Sequence, residues 1–465
     1  MSTTTKRTTF KTIDPTTGKE LTTYSYMTDD EVEQYIQQSH KAFLQWRTKS
    51  VEERGKVIEN IGKELQNYKA DLAELMTKEM GKLLKQSKQE VDLCTAICDY
   101  SAANAPKVFQ KEERELSNGG KGIVTYSPIG IIYGIMPWNY PSYQVIRYTI
   151  ANLMAGNSIL LKHASNVTGT ALLLKSIFDT AGLPDGLFNV MVIDHDQSNT
   201  IIEHELVRGV TLTGSSGAGE KVGELAGKNL KKSVLELGSN DAYLILDDAD
   251  IATAVEKSVK GRIYNNGETC IAAKRFIATE KVYDKFKQEF VKAMKALTIG
   301  DPTAEDTELG PMARKDLRET IHEQVLKSIE KGARLLCGGE LMDGDGYYYP
   351  ATVLDQVSPG QPAYDEELFG PVACLIKAKD DEDAMRIAND SRFGLGGGIF
   401  SKDVDKAVKL AEQHFDTGMI FINSFGLAEP AMPFGGVKDS GYGREHGGFG
   451  MKEFVNVKSI MISED

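Results

Sequence analysis

Across residues 29–115 apolar side chains recur at helical spacing on a charged background, which predicts mostly helix there. Asp29 or Asp30 offers a cap ahead of Val32, Ile36 and Phe43. The texture changes at Gly122. Residues 123–126 and 129–135 are β-branched and aromatic, which suits strands. Pro141, at a first helical position, and Gly156, past the last, bracket a helix containing Ile146, Ile150 and Leu153. An alternation follows. Strands are predicted at 158–161, 188–193, 209–213 and 233–237, with helices at 168–181 and from about 219 to 230, and an acidic stretch around Glu203. Short apolar runs separated by helices are the pattern of βαβ units around a buried parallel sheet. A second alternation covers roughly 250–424, opening with a helix after Asp250. The tail from about 440 is Gly-rich and then β-like over 454–462.

Composition narrows the class. The 465 residues are 41% apolar and 26% charged with 44 Gly and 14 Pro, a globular make-up long enough for two or three folding units of about 150 residues. Net charge is −13, which disfavours nucleic-acid phosphates and anionic membrane surfaces as partners. The longest nearly unbroken apolar stretch, 129–138, is too short to span a bilayer. Residues 1–10 are polar, so no secretory signal is read there. Cys94, Cys98, Cys270, Cys337 and Cys374 are too few and scattered for a disulfide framework, which predicts reduced thiols and a cytoplasmic protein. The His residues show neither HExxH nor a pair at zinc spacing, so no metal site is expected.

Several positions can carry chemistry. Cys270 lies in a Gly- and Asn-rich stretch, 264–272, and fits either a nucleophile or a small buried hydrophobe. Cys94 and Cys98 share a helix face, where core packing accounts for them better than a metal. Glu236 lies at the end of an apolar strand, 234–237, which Gly238 follows. A carboxylate there is costly unless paired or solvated, which leaves a general base or a structural salt bridge. The turn from Thr213 to Gly219 follows a strand and opens a helix, where a phosphate meets free N–H groups. It lacks the Gly-Lys-Ser/Thr ending of a P-loop, and its glycines also suit a tight connection. Asn139, between a strand end and a helix, can cap that helix or donate to an oxyanion.

Together these segments resemble the aldehyde dehydrogenase superfamily over essentially the whole chain. The motifs occur in that family's order: Pro-Trp-Asn-Tyr-Pro at 137–141, Leu-Lys at 161–162, Thr-Gly-Ser at 213–215, Leu-Glu-Leu-Gly at 235–238, Gly-Glu-Thr-Cys at 267–270, Glu-Leu-Phe-Gly-Pro at 367–371 and Pro-Phe-Gly-Gly at 433–436. Leu-Lys-His-Ala at 161–164 and Gly-Pro-Met-Ala-Arg at 310–314 look most like bacterial succinate-semialdehyde dehydrogenases. The resemblance implies an α/β fold in three parts. These are a Rossmann-like cofactor domain at 1–109 and 129–238, an α/β catalytic domain at 239–439, and a β-strand oligomerisation arm at 110–128 and 440–465. It also implies homodimers or homotetramers, NADP or NAD as cofactor, and a small aldehyde, succinate semialdehyde above all, as substrate.

The resemblance assigns roles as well. Cys270 would attack the aldehyde carbon, and Asn139 with the Cys270 N–H would hold the thiohemiacetal oxyanion. Glu236 would activate the water that hydrolyses the thioester. Lys162 and Ser165 would face the adenine ribose, Ser215 the pyrophosphate and Glu367 the nicotinamide ribose. Gly214, Gly219 and Leu237 would belong to the same channel, lined by Trp138 and Phe369. NAD-restricted relatives place Glu where Ser165 stands, so NADP should be accepted here. Arg147, eight residues after Asn139, would bind the distal carboxylate of succinate semialdehyde.

The chain also departs from the family pattern. Ser239 replaces a glycine, implying strain of about 1–2 kcal/mol if that turn needs positive φ. Glu268 replaces a Gln two residues before the nucleophile and is expected to raise the Cys270 pKa. Tyr264 stands where some carboxylate-binding relatives have a second Arg, and the loop 426–430 lacks their Ser. Two other readings therefore stand beside the leading one. A CoA-acylating enzyme is the first, against which Glu236 argues. A non-catalytic cofactor-binding protein is the second.

Overall fold

The computed structural model describes residues 8–463; residues 1–7, most of the run read for a leader, lie outside it. A hairpin of Thr9–Ile13 and Glu20–Ser25 precedes the helices Asp29–Trp46, Val51–Asn67, Lys69–Met80 and Leu84–Val108. The first helix is capped by Thr28, not by Asp29 or Asp30. Its hydroxyl accepts from the Glu31 N–H at 3.3 Å, and the Glu31 carboxylate accepts from the Thr28 N–H at 2.8 Å. Asp29 and Asp30 fall instead in the first turn, where their charges face the positive helix end. Cys94 and Cys98 are fully buried in the core beneath these helices.

The βαβ pattern is borne out. One sheet has the strand order Gly441–Tyr442, Lys232–Glu236, Val207–Thr213, Ile131–Met136, Ser158–His163, Phe188–Val190, parallel throughout except for the first. Its strands are almost wholly buried because the helices Asp29–Trp46, Tyr143–Ala155, Thr168–Thr180, His195–Glu203 and Ser216–Lys228 cover both faces. The sheet is shorter than expected at one edge, since pairing stops at Val190 rather than 193.

A second sheet has the order Arg334–Cys337, Thr352–Asp355, Val372–Ala378, Arg275–Thr279, Ala242–Ile245, Gly397–Phe400, Phe421–Ile422. Only its first pair is antiparallel. The third sheet joins Val455–Ile462 to Lys121–Pro128 and Glu112–Glu115, all antiparallel. Gly441–Tyr442 pair with Leu235 and Glu236, so the segment after 440 first closes the six-stranded sheet and the arm strand begins only at Val455. Among the described residues, no helix is long and apolar enough to cross a membrane.

Candidate active site

The strands Ile131–Met136, Val207–Thr213 and Lys232–Glu236 end side by side on one edge of the six-stranded sheet. The chain crosses from one side of the sheet to the other between the first two, so their ends open a crevice. Loop 264–273 reaches this crevice from the second sheet. Asn265 and Asn266 adopt left-handed conformations there, with φ of 54° and 56°, which Asn tolerates better than most residues. The Asn265 amide donates to the carbonyls of Asn139 at 2.8 Å and Glu268 at 3.0 Å, tying the two motifs together. Gly267 follows at φ 77°, and a Cβ there would lie 2.4 Å from the carbonyl of Gly370. Only glycine lets the loop lie that close.

This turn sets Cys270 where two cavities meet. One, of about 250 Å³, is lined by Trp138, Asn139, Gly214, Ser215, Leu237, Glu367 and Phe369. The other, of about 20 Å³, is walled by Leu93, Tyr140, Tyr143, Leu427, Ala428 and Phe434. Cys270 and Gln144 line both. Burial pushes the Cys270 thiol up to about 12, although Lys274 and Arg147 pull it down.

Asn139 is buried, and its amide donates to the Glu268 carbonyl at 3.1 Å rather than capping the next helix. Its own side-chain oxygen has no hydrogen-bond partner among the described residues. Glu236 ends its strand with 1% of its surface exposed, and neither carboxylate oxygen has a hydrogen-bond partner among the described residues. Burial pushes Glu236 up to about 8, against the pull of Arg147 and Arg444. A carboxylate so placed can take a proton from water once it is ionised, as pH rises through about 8.

The larger cavity also meets the needs of a dinucleotide. Ser215 caps the helix Ser216–Lys228 by accepting from the Ala218 N–H at 3.3 Å. At Gly219 a Cβ would lie 2.5 Å from Leu237 Cδ1, so its absence lets this helix start sit against the strand end. Trp138 stands edge-on to Phe369 at 5.8 Å. Lys162 and Ser165 line a further cavity of about 270 Å³ beyond the end of Ser158–His163, with Asn166, His195 and Arg314. The donor-rich helix start and the two cavities along the strand ends fit a long, charged cofactor.

Four expectations change. Ser239 does not have positive φ, so it carries no left-handed strain; its hydroxyl bonds Asp241 and its N–H donates to Glu367 at 3.1 Å. The Glu268 carboxylate accepts from the Ala313 N–H at 3.1 Å. Burial raises its own pKa far above the carboxylate range, and the anions acting on Cys270 are Glu367 and Asp241. Pro141 lies ahead of its helix, which starts at Tyr143. Arg147 does not line the pocket over Cys270; it is buried and ion-paired to Glu445.

Sequence reading missed Lys274. Its buried ammonium donates to the carbonyls of Cys270 at 2.5 Å and Thr269 at 3.3 Å and pairs with Glu367 at 3.2 Å. The signal was available: a Lys-Arg pair leading into an apolar strand is costly unless something inside meets the charges.

The sequence profile of the aldehyde dehydrogenase family matches residues 2–460. The chain is 42% identical over 448 residues to the NAD(P)+ succinate semialdehyde dehydrogenase of Escherichia coli strain K12, covering 96% of each chain. It is 39% identical over 451 residues to the NADP+ succinate-semialdehyde dehydrogenase of Deinococcus radiodurans, covering 97% of this chain and 94% of that one. The fold matches the crystal structure of succinic semialdehyde dehydrogenase from Streptococcus pyogenes in complex with NADP+, with a TM-score of 0.95 at 37% identity over 98% of this chain and all of that one. With its motifs gathered at one crevice and residues 2–460 matched, the chain belongs to the aldehyde dehydrogenase family.

Proposed function

We propose that this protein oxidises an aldehyde to the carboxylic acid with NADP or NAD, and that succinate semialdehyde is a substrate. The observation that carries the reading is the placement of Cys270 at the junction of the two cavities, one small and walled mostly by apolar and aromatic side chains and one opening along the strand ends. The names of the relatives supply the substrate and the cofactor. Lys162 and Ser165 hold the adenosine end, Gly214 and Ser215 border the space for the pyrophosphate, Gly219 lets their helix start sit against Leu237, and Trp138, Leu237, Glu367 and Phe369 line the nicotinamide end. The bound nicotinamide supplies the hydride acceptor.

The remaining chemistry belongs to the chain. The Cys270 thiol gives up its proton to solvent, its Sγ adds to the aldehyde carbon, and the oxyanion takes hydrogen bonds from the Asn139 amide and the Cys270 N–H. Loss of hydride leaves a thioester on Cys270. Glu236 takes a proton from water, whose oxygen attacks the thioester and releases acid and thiol. The residues 1–109 and 129–238 act as the cofactor domain, 239–439 as the catalytic domain, and the arm joins copies of the chain. Exposed Val457, Met461 and Ile462 on the edge strand Val455–Ile462 support homo-oligomer assembly. The test is absorbance growth of reduced cofactor with a panel of aldehydes, NAD or NADP, and no added CoA. No reduced cofactor with any pair would reject the reading.

A further inference from the structure

We propose that Gln144 is a specificity-determining residue whose amide hydrogen-bonds an oxygen substituent on the aldehyde, a carboxylate or a hydroxyl, so that polar short-chain aldehydes are favoured over plain alkanals. This rests on the function proposed above and narrows the substrate class of that same site. Gln144 lies in the first turn of helix Tyr143–Ala155, where its N–H donates to the Tyr140 carbonyl at 3.0 Å. With Cys270 it borders both cavities, which places its side chain beside the nucleophile at their neck. The residue is 1% exposed, and its side-chain oxygen has no hydrogen-bond partner among the described residues.

An amide taken out of water without a replacement hydrogen bond is unfavourable, so nearly all buried amides in folded proteins are paired. Among the residues lining the two cavities, Asn139 and Gln144 carry side-chain oxygens that break this rule. Asn139 has the oxyanion to hold. Gln144 has no task in the chemistry proposed above, and its unmet hydrogen bond is left for whatever enters the neck.

The rest of the small cavity has little else with which to read a polar group. Leu93, Ile271, Leu427, Ala428 and Phe434 are apolar. The Tyr140 and Thr269 hydroxyls bond each other at 2.9 Å, and the Tyr143 hydroxyl bonds His446 Nε2 at 2.9 Å. Beside the thiol, Gln144 is therefore the uncommitted polar side chain of this wall. With the cofactor in the larger cavity, the chain of an aldehyde bonded to Cys270 is left the smaller one and passes Gln144 as it enters. A half-turn about the last side-chain bond exchanges Oε1 and Nε2, so the amide can donate to a carboxylate or a hydroxyl, or accept from a hydroxyl. An alkanal offers it nothing. A site built to hydrogen-bond its substrate rejects the analogue that leaves its own polar group unpaired.

The test compares kcat/KM of the full-length enzyme for succinate semialdehyde, 3-hydroxybutanal and butanal, which share chain length and carry a carboxylate, a hydroxyl and neither. Gln144→Met keeps an unbranched side chain of similar length and removes both hydrogen-bonding groups. It should lower kcat/KM for an oxygenated aldehyde, taken as a ratio to butanal, by about tenfold or more. A ratio that falls for succinate semialdehyde alone identifies the carboxylate as the group read, and one that falls for 3-hydroxybutanal alone identifies the hydroxyl. Gln144→Glu stands in if the Met variant fails to fold; its carboxylate should cut the succinate semialdehyde ratio while still accepting from the hydroxyl of 3-hydroxybutanal. Unmoved ratios in the folded variants overturn the proposal. Equal falls for all three aldehydes also overturn it, because they would assign Gln144 to the reacting centre. So does a wild-type enzyme that uses butanal as well as both oxygenated aldehydes, a result that needs no variant. A wild-type enzyme that reduces no cofactor with any aldehyde would instead overturn the functional reading beneath it.

Discussion

Glu236 and Cys270 are both held in their protonated forms at neutral pH by burial, and this shapes how each step responds to pH. Below about 8 Glu236 is mostly a neutral acid that cannot take a proton, so thioester hydrolysis should speed up as pH rises through that value and level above it. The two residues should fail at different stages when mutated. Cys270→Ala should give no reduced cofactor. Glu236→Gln should give a burst near one equivalent per site and then stall, readable by stopped-flow absorbance. Steady turnover by Cys270→Ala would remove the thiol from the mechanism. Both candidates were legible in the sequence, because a Cys in a Gly- and Asn-rich loop and a Glu ending an apolar strand each break their surroundings. The directions of Ser239 and Glu268 were not, since each is set by a bond to a group that periodicity does not place.

At the scale of elements, the helix Tyr143–Ala155 shows how distant parts hold the crevice. Its N-cap Ser142 makes no side-chain cap bond; Glu90 from helix Leu84–Val108 accepts instead from the N–H groups of Ser142 at 2.8 Å and Tyr143 at 2.9 Å. Glu90 also pairs with buried Lys82, whose ammonium lies 3.8 Å over the Tyr140 ring. The Tyr140 hydroxyl bonds Thr269 at 2.9 Å, next to Cys270. Glu90→Ala would leave Lys82 charged and alone in the core, and should cost about 3–5 kcal/mol in urea unfolding. Lys82→Met combined with Glu90→Gln should recover most of that. The strand Ser158–His163 supports a second prediction at its far end. Ser165→Glu should lower kcat/KM for NADP more than about tenfold, or about 1.4 kcal/mol, while sparing NAD, because a carboxylate there repels a 2′-phosphate. Equal loss with both cofactors would place Ser165 away from the ribose. The helix and strand alternation was readable from periodicity, but the helix start at Tyr143 rather than Pro141 was not, because the cap comes from another helix.

Over the whole molecule, buried carboxylates make stability depend on pH. Glu79 on helix Lys69–Met80 accepts from the N–H groups of Gly169 at 2.8 Å and Thr170 at 2.9 Å and from the Thr170 hydroxyl at 2.7 Å, joining that helix to Thr168–Thr180. Burial outweighs these bonds and pushes its pKa from 4.5 to about 7. With the folded value above the unfolded one, its contribution is complete below about pH 4.5 and is lost as pH rises through about 7. The loss is of order 3 kcal/mol. Glu79→Gln should flatten that fall when urea midpoints are compared across the window, and an unchanged slope would show that Glu79 is ionised in the folded protein.

The sequence by itself determined the α/β alternation, the family and the neighbourhood of its motifs. Buried parallel strands must be apolar along their length, and an active site needs polar residues that interrupt such runs, so both leave a mark on local pattern. Charge partners leave no such mark. Arg147 met Glu445, Lys82 met Glu90 and Lys274 met Glu367 because folding brought them within hydrogen-bond reach. Inside a protein the strength of such a pair depends on a few ångströms of separation and on the surrounding dielectric. Neither quantity is written in the spacing of residues along the chain, so the tertiary structure alone decided which charges tune the site.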